Sequence, residues 1–412
     1  MERLARRLGV PDAIVIGLGS MLGAGVFVVF APAASAAGGT GLLAALALAG
    51  FVAFCNATSS ARLAARHPES GGTYVYGRER LHPFAGFAAG WAFVVGKTAS
   101  CAAMALTIGA YLWPGQARLV AVVAVMAVTA VNLRGVGKTA TATRVLVGVV
   151  LAVLAVVAVV GAPQVAAERL TAPADLGARG VLTAAGLLFF AFAGYARIAT
   201  LGEEVRDPER TIPRAVPLAL GAVLAIYLTL AVVTLGVLGA DRLADSHAPL
   251  VEVVTTAGRP GLAWLVRAGA AVAVTGVLLS LLAGVSRTTL AMARRRDLPA
   301  ALAAVHPRHR VPHRAELAVA AVVVTVVALG DIRAAIGFSS CTVLVYYAIT
   351  NAAALTLRPE PGRRLPVRLL AATGLAGCLL LAVNLPLPSV LAGFAVLTVG
   401  ALGYAVRHRV VA

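Results

Sequence analysis

Residues 17–27 read G-L-G-S-M-L-G-A-G-V-F, which places Gly17, Gly19, Gly23 and Gly25 within nine positions of an apolar run. Gly19 and Gly23 form a G-x-x-x-G, and close packing of two helices explains such a pair in a membrane. A dinucleotide-binding loop does not fit, because no strand precedes the glycines and their spacing is wrong. The sharper reading is a helix that unwinds near Ser20 to Leu22 and restarts at Gly23. N–H groups opening the second half suit a carboxylate, and carbonyls closing the first half suit an ammonium; together they fit a zwitterion.

A counterpart lies at 189–195, F-F-A-F-A-G-Y, where small residues and Gly194 interrupt an aromatic run. Around these two strings the 412 residues are 60% hydrophobic and only 13% charged, with a mean hydropathy of +0.91. Soluble proteins average about 45–50% and about 25%, so the composition excludes a soluble domain. Twelve apolar stretches approach the roughly 17 residues or more that cross a bilayer. They are 11–31, 41–61, 84–112, 116–133, 145–161, 181–200, 213–240, 261–290, 315–330, 333–356, 367–383 and 388–406. Lipid leaves no partner for a free backbone group, so each is expected to be helical and the fold an all-α integral membrane protein. The N-terminus runs directly into the first of these spans, so a cleaved signal peptide is not expected.

The net charge of +18 does not mark a nucleic-acid partner, since the basic residues cluster between apolar runs. Alternate loops hold 25 Lys and Arg on one side and six on the other, which predicts both termini in the cytoplasm. Interruptions in spans one and six, five helices apart, are the expected mark of two inverted five-helix repeats with a site at their interface.

Further strings carry a family resemblance: P-E-S-G-G-T-Y-V-Y at 68–76, G-F-A-A-G-W at 86–91, V-N-L-R-G-V at 131–136, F-A-G-Y-A-R-I-A-T-L-G-E-E-V-R-D-P-E-R-T-I-P-R-A at 192–215, and S-R-T-T-L-A-M-A-R-R-R-D-L-P at 286–299. With S-M-L-G-A-G-V-F at 20–27, they resemble the amino acid, polyamine and organocation transporters in order and over almost the whole chain. The resemblance implies a LeuT-like five-plus-five inverted repeat, with repeats at 11–161 and 181–356 and two accessory helices at 367–406. It also implies a secondary transporter in the plasma membrane that works by alternating access, with proton coupling and exchange both open. The substrate carboxylate would meet the backbone of Gly23, Ala24 and Gly25. Its amino group would meet carbonyls around Gly19, Ser20, Phe190 and Ala191, with Met21 and Gly194 at the same breaks and Phe190 and Phe192 lining or capping the site. Each phenylalanine alone is equally an ordinary packing residue.

Ionisable residues sharpen the expectation. Every Asp, Glu and His falls at a helix end or in a loop, so no carboxylate waits inside the membrane for a cationic side chain. Lys97, one of two lysines, lies 13 residues into span three, about 20 Å along the helix from Phe84 and too deep to snorkel easily. Many relatives carry a lysine on the fifth helix, but 145–161 holds no ionisable residue. Lys97 is therefore the candidate for the coupling role, its alternative being structural glue on helix-end carbonyls. Ser280 or Thr275 in span eight could offer a hydroxyl to an ion. Arg197 reads as a snorkelling residue. Glu203 and Glu204 are candidate gating residues, pairing with Arg6, Arg7 or Arg62; their plainer reading is a solvated helix end.

Other signals read as structural. Cys55, Cys101, Cys341 and Cys378 lie in apolar runs without metal spacing. His306, His309 and His313 fall in a basic loop, and Asn56 is buried in span two despite its N-A-T string. No metal, nucleotide or redox cofactor is implied, and an enzyme would need a convergent acid, base or nucleophile that these spans lack. A channel would need a continuous polar lining. A transport-inactive sensor would keep the same binding strings. The expected partners are an amino acid or amine, protons and the lipid bilayer.

Overall fold

A computed structural model of the chain describes residues 8–67, 71–135, 140–171, 177–199, 205–358 and 367–411. Among these residues it is all helix, without a strand. Span one consists of α1 (Val10–Met21) and α2 (Ala24–Val28), prolonged by the first turns of α3 (Phe30–Arg66). At Gly38 the backbone takes φ 68° and ψ −160°, which divides α3 into 30–37 and 39–66, the latter being span two. Glycine is required there, because a Cβ makes the left-handed region costly.

The short α4 (Thr73–Arg80) precedes span three, α5 (Pro83–Leu112). Spans four and five are α6 (Ala117–Leu133) and α7 (Ala140–Gly161), followed by the single-turn α8 (Ala167–Thr171). Span six is α9 (Gly177–Phe192), a 3-10 turn at Ala193–Tyr195 and α10 (Ala196–Ala199). Span seven is α11 (Pro208–Leu238); α12 (Ala240–Asp245) and α13 (Pro249–Thr256) link it to span eight, α14 (Ala263–Arg294). Then come α15 (His313–Leu329), α16 (Ile332–Leu355), α17 (Val367–Val383) and α18 (Leu387–Val411).

Helices thus occupy all twelve places marked in the sequence. Ten are long and apolar enough to cross a membrane among the described residues. The other two, α15 and α17, have 17 residues each and so rise about 25 Å. Of the ten, span three is the most enclosed, with 89% of an apolar 18-residue stretch buried, against 17% in the last span. That contrast makes α5 the axis of the bundle and α18 part of its exposed rim. α5 packs against α14, α16 and α6, and α3 against α9 and α11, which sets the two broken spans side by side.

Candidate functional site at the two helix breaks

Span one opens at Leu22 and Gly23. The Leu22 N–H still donates to the Leu18 carbonyl at 2.8 Å, and Gly23 then leaves the helix with φ −97° and ψ −135°. The break therefore starts slightly later than the sequence suggests. Ser20 is still helical, and its Oγ donates to the Ile16 carbonyl at 2.8 Å. Val29 keeps helical dihedrals, so the second half runs almost unbroken from Ala24 to the turn at Gly38. The opening N–H groups of a helix have no intrahelical acceptor, which leaves donors at the position expected for a carboxylate.

Span six tightens at the expected place, into the 3-10 turn Ala193–Tyr195 after Phe192. The two breaks fit together through missing side chains. A Cβ on Gly25 would lie 2.5 Å from the Ala191 Cβ and 2.6 Å from its Cα. A Cβ on Gly194 would collide with the Ser20 carbonyl and lie 2.9 Å from the Met21 nitrogen. Each break thus seats a glycine on the backbone of the other. Gly23 faces Val277 of α14 and Gly17 faces Ile198 of α10, so close packing accounts for these glycines as well. Gly19 is looser, 3.0 Å from Val147 at a built Cβ.

Tyr227 of α11, absent from the sequence-based candidates, joins the breaks. Its buried hydroxyl lies 2.6 Å from the Met21 carbonyl and 3.1 Å from the Ala191 carbonyl, and its single proton donates to one at a time. Its ring packs on Phe192 at 5.2 Å. Phe190 and Phe192 are both buried, as are Met21 and Ala191. Lys97, buried on α5, points its Nζ at the Ala193 carbonyl, 3.4 Å away, and the Tyr347 hydroxyl donates to the same oxygen at 3.2 Å. Lys97 therefore faces the bundle and meets the span-six turn. Tyr195 stacks on Tyr347 at 5.0 Å, so an aromatic wall from α9, the turn and α16 surrounds this carbonyl.

Other candidates lie elsewhere. Ser280 and Thr275 are exposed on α14, and the Ser280 hydroxyl donates back to the Gly276 carbonyl at 3.3 Å; they are not brought to the breaks. Glu203 and Glu204, with Arg6 and Arg7, lie outside the described residues. Arg62 is buried on α3 and Arg197 exposed on α10. The segment before span one and the segment after span six are nonetheless tied together, since Leu8 bridges Val205 and the Arg206 N–H donates to the Leu8 carbonyl at 2.9 Å. Arg144 of α7 pairs with Asp12 of α1.

The expectation that no carboxylate sits in the interior needs correction. Glu316, in the first turn of α15, is 3% exposed, and the Asn132 amide donates to its Oε1 at 2.8 Å. The same amide nitrogen donates to the Leu279 carbonyl, in the middle of α14, so this helix starts within the bundle. Helix starts are read from sequence as solvated, and only packing decides otherwise.

A buried amide cluster was also illegible in the sequence. Asn351 of α16 donates to the Asn56 Oδ1 at 2.6 Å and accepts from Ser59 at 2.6 Å, while Cys378 donates to the same Asn56 oxygen at 3.4 Å. It joins spans two, ten and eleven. At the α4 end, Asp297 accepts from the Tyr74 hydroxyl at 2.6 Å and pairs with Arg78 at 2.7 Å. Burial, then the adjacent Asp297 carboxylate, hold the Tyr74 phenol well above its usual range, so it remains the donor. At the opposite end a cavity of about 460 Å³ is lined by Pro32, Leu106, Arg118, His247, Asp331 and Arg333.

The chain matches the amino acid permease family over residues 8–398. It is 62% identical to an uncharacterized transporter of Mycobacterium tuberculosis, over 99% of this chain and 92% of that one. It is 25% identical to a branched-chain amino acid permease of Bacillus subtilis and 26% identical to a methylthioribose transporter of the same organism, in each case over 76% of this chain and 72% of the relative. An all-helical bundle with many apolar spans and a family match along nearly its whole length lead to one conclusion: the chain belongs to the amino acid permease family and is a multi-pass membrane transporter, not an enzyme.

Proposed function

We propose that this transporter carries an amino acid or related amine by alternating access, with the substrate held between the interruptions of spans one and six. The observation that carries this reading is the Tyr227 hydroxyl set between the Met21 and Ala191 carbonyls, which couples the two breaks as one unit. The carboxylate takes the backbone donors at Gly23, Ala24 and Gly25. The ammonium takes carbonyls at Gly19, Ser20, Phe190 and Ala191, and Phe190, Phe192 and Gly194 border the same space. Spans one to five and six to ten act as inverted repeats, 11–161 and 181–356, with 367–406 accessory and both termini in the cytoplasm of the cell.

Lys97 is the coupling candidate, because its ammonium meets the Ala193 carbonyl inside the span-six turn. A proton gradient or a counter-substrate drives the cycle. The cavity at Arg118, His247 and Asp331 serves as an outer vestibule, and the Leu8–Val205 tether belongs to the inner closure.

The test is uptake into proteoliposomes of labelled branched-chain and cationic amino acids, polyamines and methylthioribose, with and without an imposed pH gradient and with counter-substrate inside. Saturable uptake following the gradient supports proton symport, and uptake only with internal substrate supports exchange. Binding without flux under every condition would assign the chain to a sensor. Uptake of methylthioribose alone would overturn the amino-group reading of the span-one and span-six carbonyls.

A further inference from the structure

A helix fixes the rotation of its residues only while its dihedrals repeat. Gly23 leaves helical space, so the second half of span one, from Ala24 on, is not aimed by the first. Two tyrosines take hold of the two halves. Tyr227 of α11 reaches the carbonyl of Met21, the last residue of the first half. Tyr111 of α5 reaches the second half: its hydroxyl donates to the Phe27 carbonyl at 2.7 Å, and the two rings meet edge to face at 5.6 Å. Tyr111 and Phe27 are both fully buried. Tyr111 is itself held. It lies in the last turn of α5, where carbonyls lack an intrahelical donor, and Arg267 of α14 donates to its carbonyl at 2.6 Å. Two residues earlier, a Cβ on Gly109 would collide with the Ala117 main chain, so the end of α5 is seated on the start of α6.

We infer that Tyr111 is a positioning residue for the substrate carboxylate. It acts through Phe27 and does not touch substrate. Ala24, Gly25 and Phe27 share the half-helix Ala24–Val28, in which the Gly25 carbonyl accepts from the Val29 N–H at 2.9 Å. A carbonyl fixed at Phe27 therefore fixes the direction of the N–H groups one turn before it. The inference rests on the proposed seat of the carboxylate at Gly23, Ala24 and Gly25. The first half of span one then follows α11 through Tyr227, while the second stays with α5, α6 and α14 through Tyr111.

The experiment is amide hydrogen exchange of the full-length protein in detergent, wild type against Tyr111→Phe, with uptake kinetics in proteoliposomes for each labelled amino acid that the wild type carries. Tyr111→Phe keeps the ring and removes only the hydroxyl. Amides of 24–30 are expected to exchange faster while those of 10–21 stay as they were. KM is expected to rise about fivefold, the worth of one hydrogen bond, with the maximal rate unchanged. A merely structural role would loosen both halves alike and lower the maximal rate. Unchanged exchange at 24–30, equal loosening of both halves, or an unchanged KM overturns the inference. Should Tyr111→Phe not yield folded protein, Arg267→Gln leaves the hydroxyl in place and releases the end of α5. It is expected to quicken the same amides to a smaller degree, and no change there also overturns the inference. Exchange needs no substrate, so the two readings fail separately: faster exchange at 24–30 in a protein that takes up no amino acid leaves the Tyr111 tether standing and overturns the transport reading instead.

Discussion

The interruptions of spans one and six look alike in sequence but are built differently. Span one comes fully apart, since Gly23 at ψ −135° leaves helical space and α2 starts afresh at Ala24. Span six only tightens: Phe192 and Ala196 on either side of its 3-10 turn both keep right-handed helical dihedrals. The glycines of 17–25 allow the first break by removing side chains, while Phe189, Phe192 and Tyr195 pack against Tyr347 and Tyr227 and hold the second to a single tight turn. A helix loosened by small residues offers backbone donors and acceptors. A helix held by aromatics offers a shaped wall and a few fixed carbonyls. The two halves of the proposed site thus divide the work between main-chain polarity and shape.

Substitutions at the contact between the breaks test this division. The largest effect is expected at Gly194→Ala, because the new Cβ meets the Ser20 main chain, which cannot swing away. Overpacking against backbone costs about 1–3 kcal/mol or more, so uptake should fall to background and the melting midpoint should drop. Unchanged uptake would mean that the breaks move apart freely. Lys97→Met should abolish the response of uptake to an imposed pH gradient, since it removes the cation at the span-six turn. Transport and its pH response both intact would end the coupling role.

Tyr227→Phe comes next. It removes the donor shared by the Met21 and Ala191 carbonyls, at a cost of about 1 kcal/mol, or roughly fivefold in apparent substrate affinity, with the fold retained. Gly23→Ala should be milder than Gly194→Ala, because its Cβ meets the Val277 side chain, which has room to adjust where backbone has not. Parallel dose–response curves for the two alanine variants would show whether the first break is indeed the compliant one. Ser280→Ala, exposed and bonded within its own helix, should leave uptake unchanged and stability within about 0.5 kcal/mol.

Much of this was legible along the chain because lipid simplifies the problem. A run such as 84–112 has one structural option in a bilayer, and α5 covers it with a one-residue extension at Pro83. The break in span one was visible in Gly19, Gly23 and Gly25 to within a residue or two. Tyr227 was not, for it sits in an ordinary apolar helix, and its hydroxyl gains meaning only from carbonyls 36 and 206 residues away. Asn56 could be placed inside the membrane, but not beside Asn351, its partner 295 residues on. Glu316 was misjudged for the same reason. Its position in the first turn of a helix says nothing about where that helix starts relative to its neighbours.

The sequence by itself determined that this is a helical membrane protein of the amino acid permease family, where its spans run and where two of them are interrupted. Those properties follow from local composition and from the need of every backbone group in lipid for a partner on its own helix. The tertiary structure alone decided which polar atoms meet: Gly194 on Ser20, Gly25 on Ala191, Tyr227 between two carbonyls, Lys97 at Ala193 and Glu316 in the interior. Those contacts join residues far apart in sequence, and hydropathy carries no record of how one helix is rotated or raised against the next.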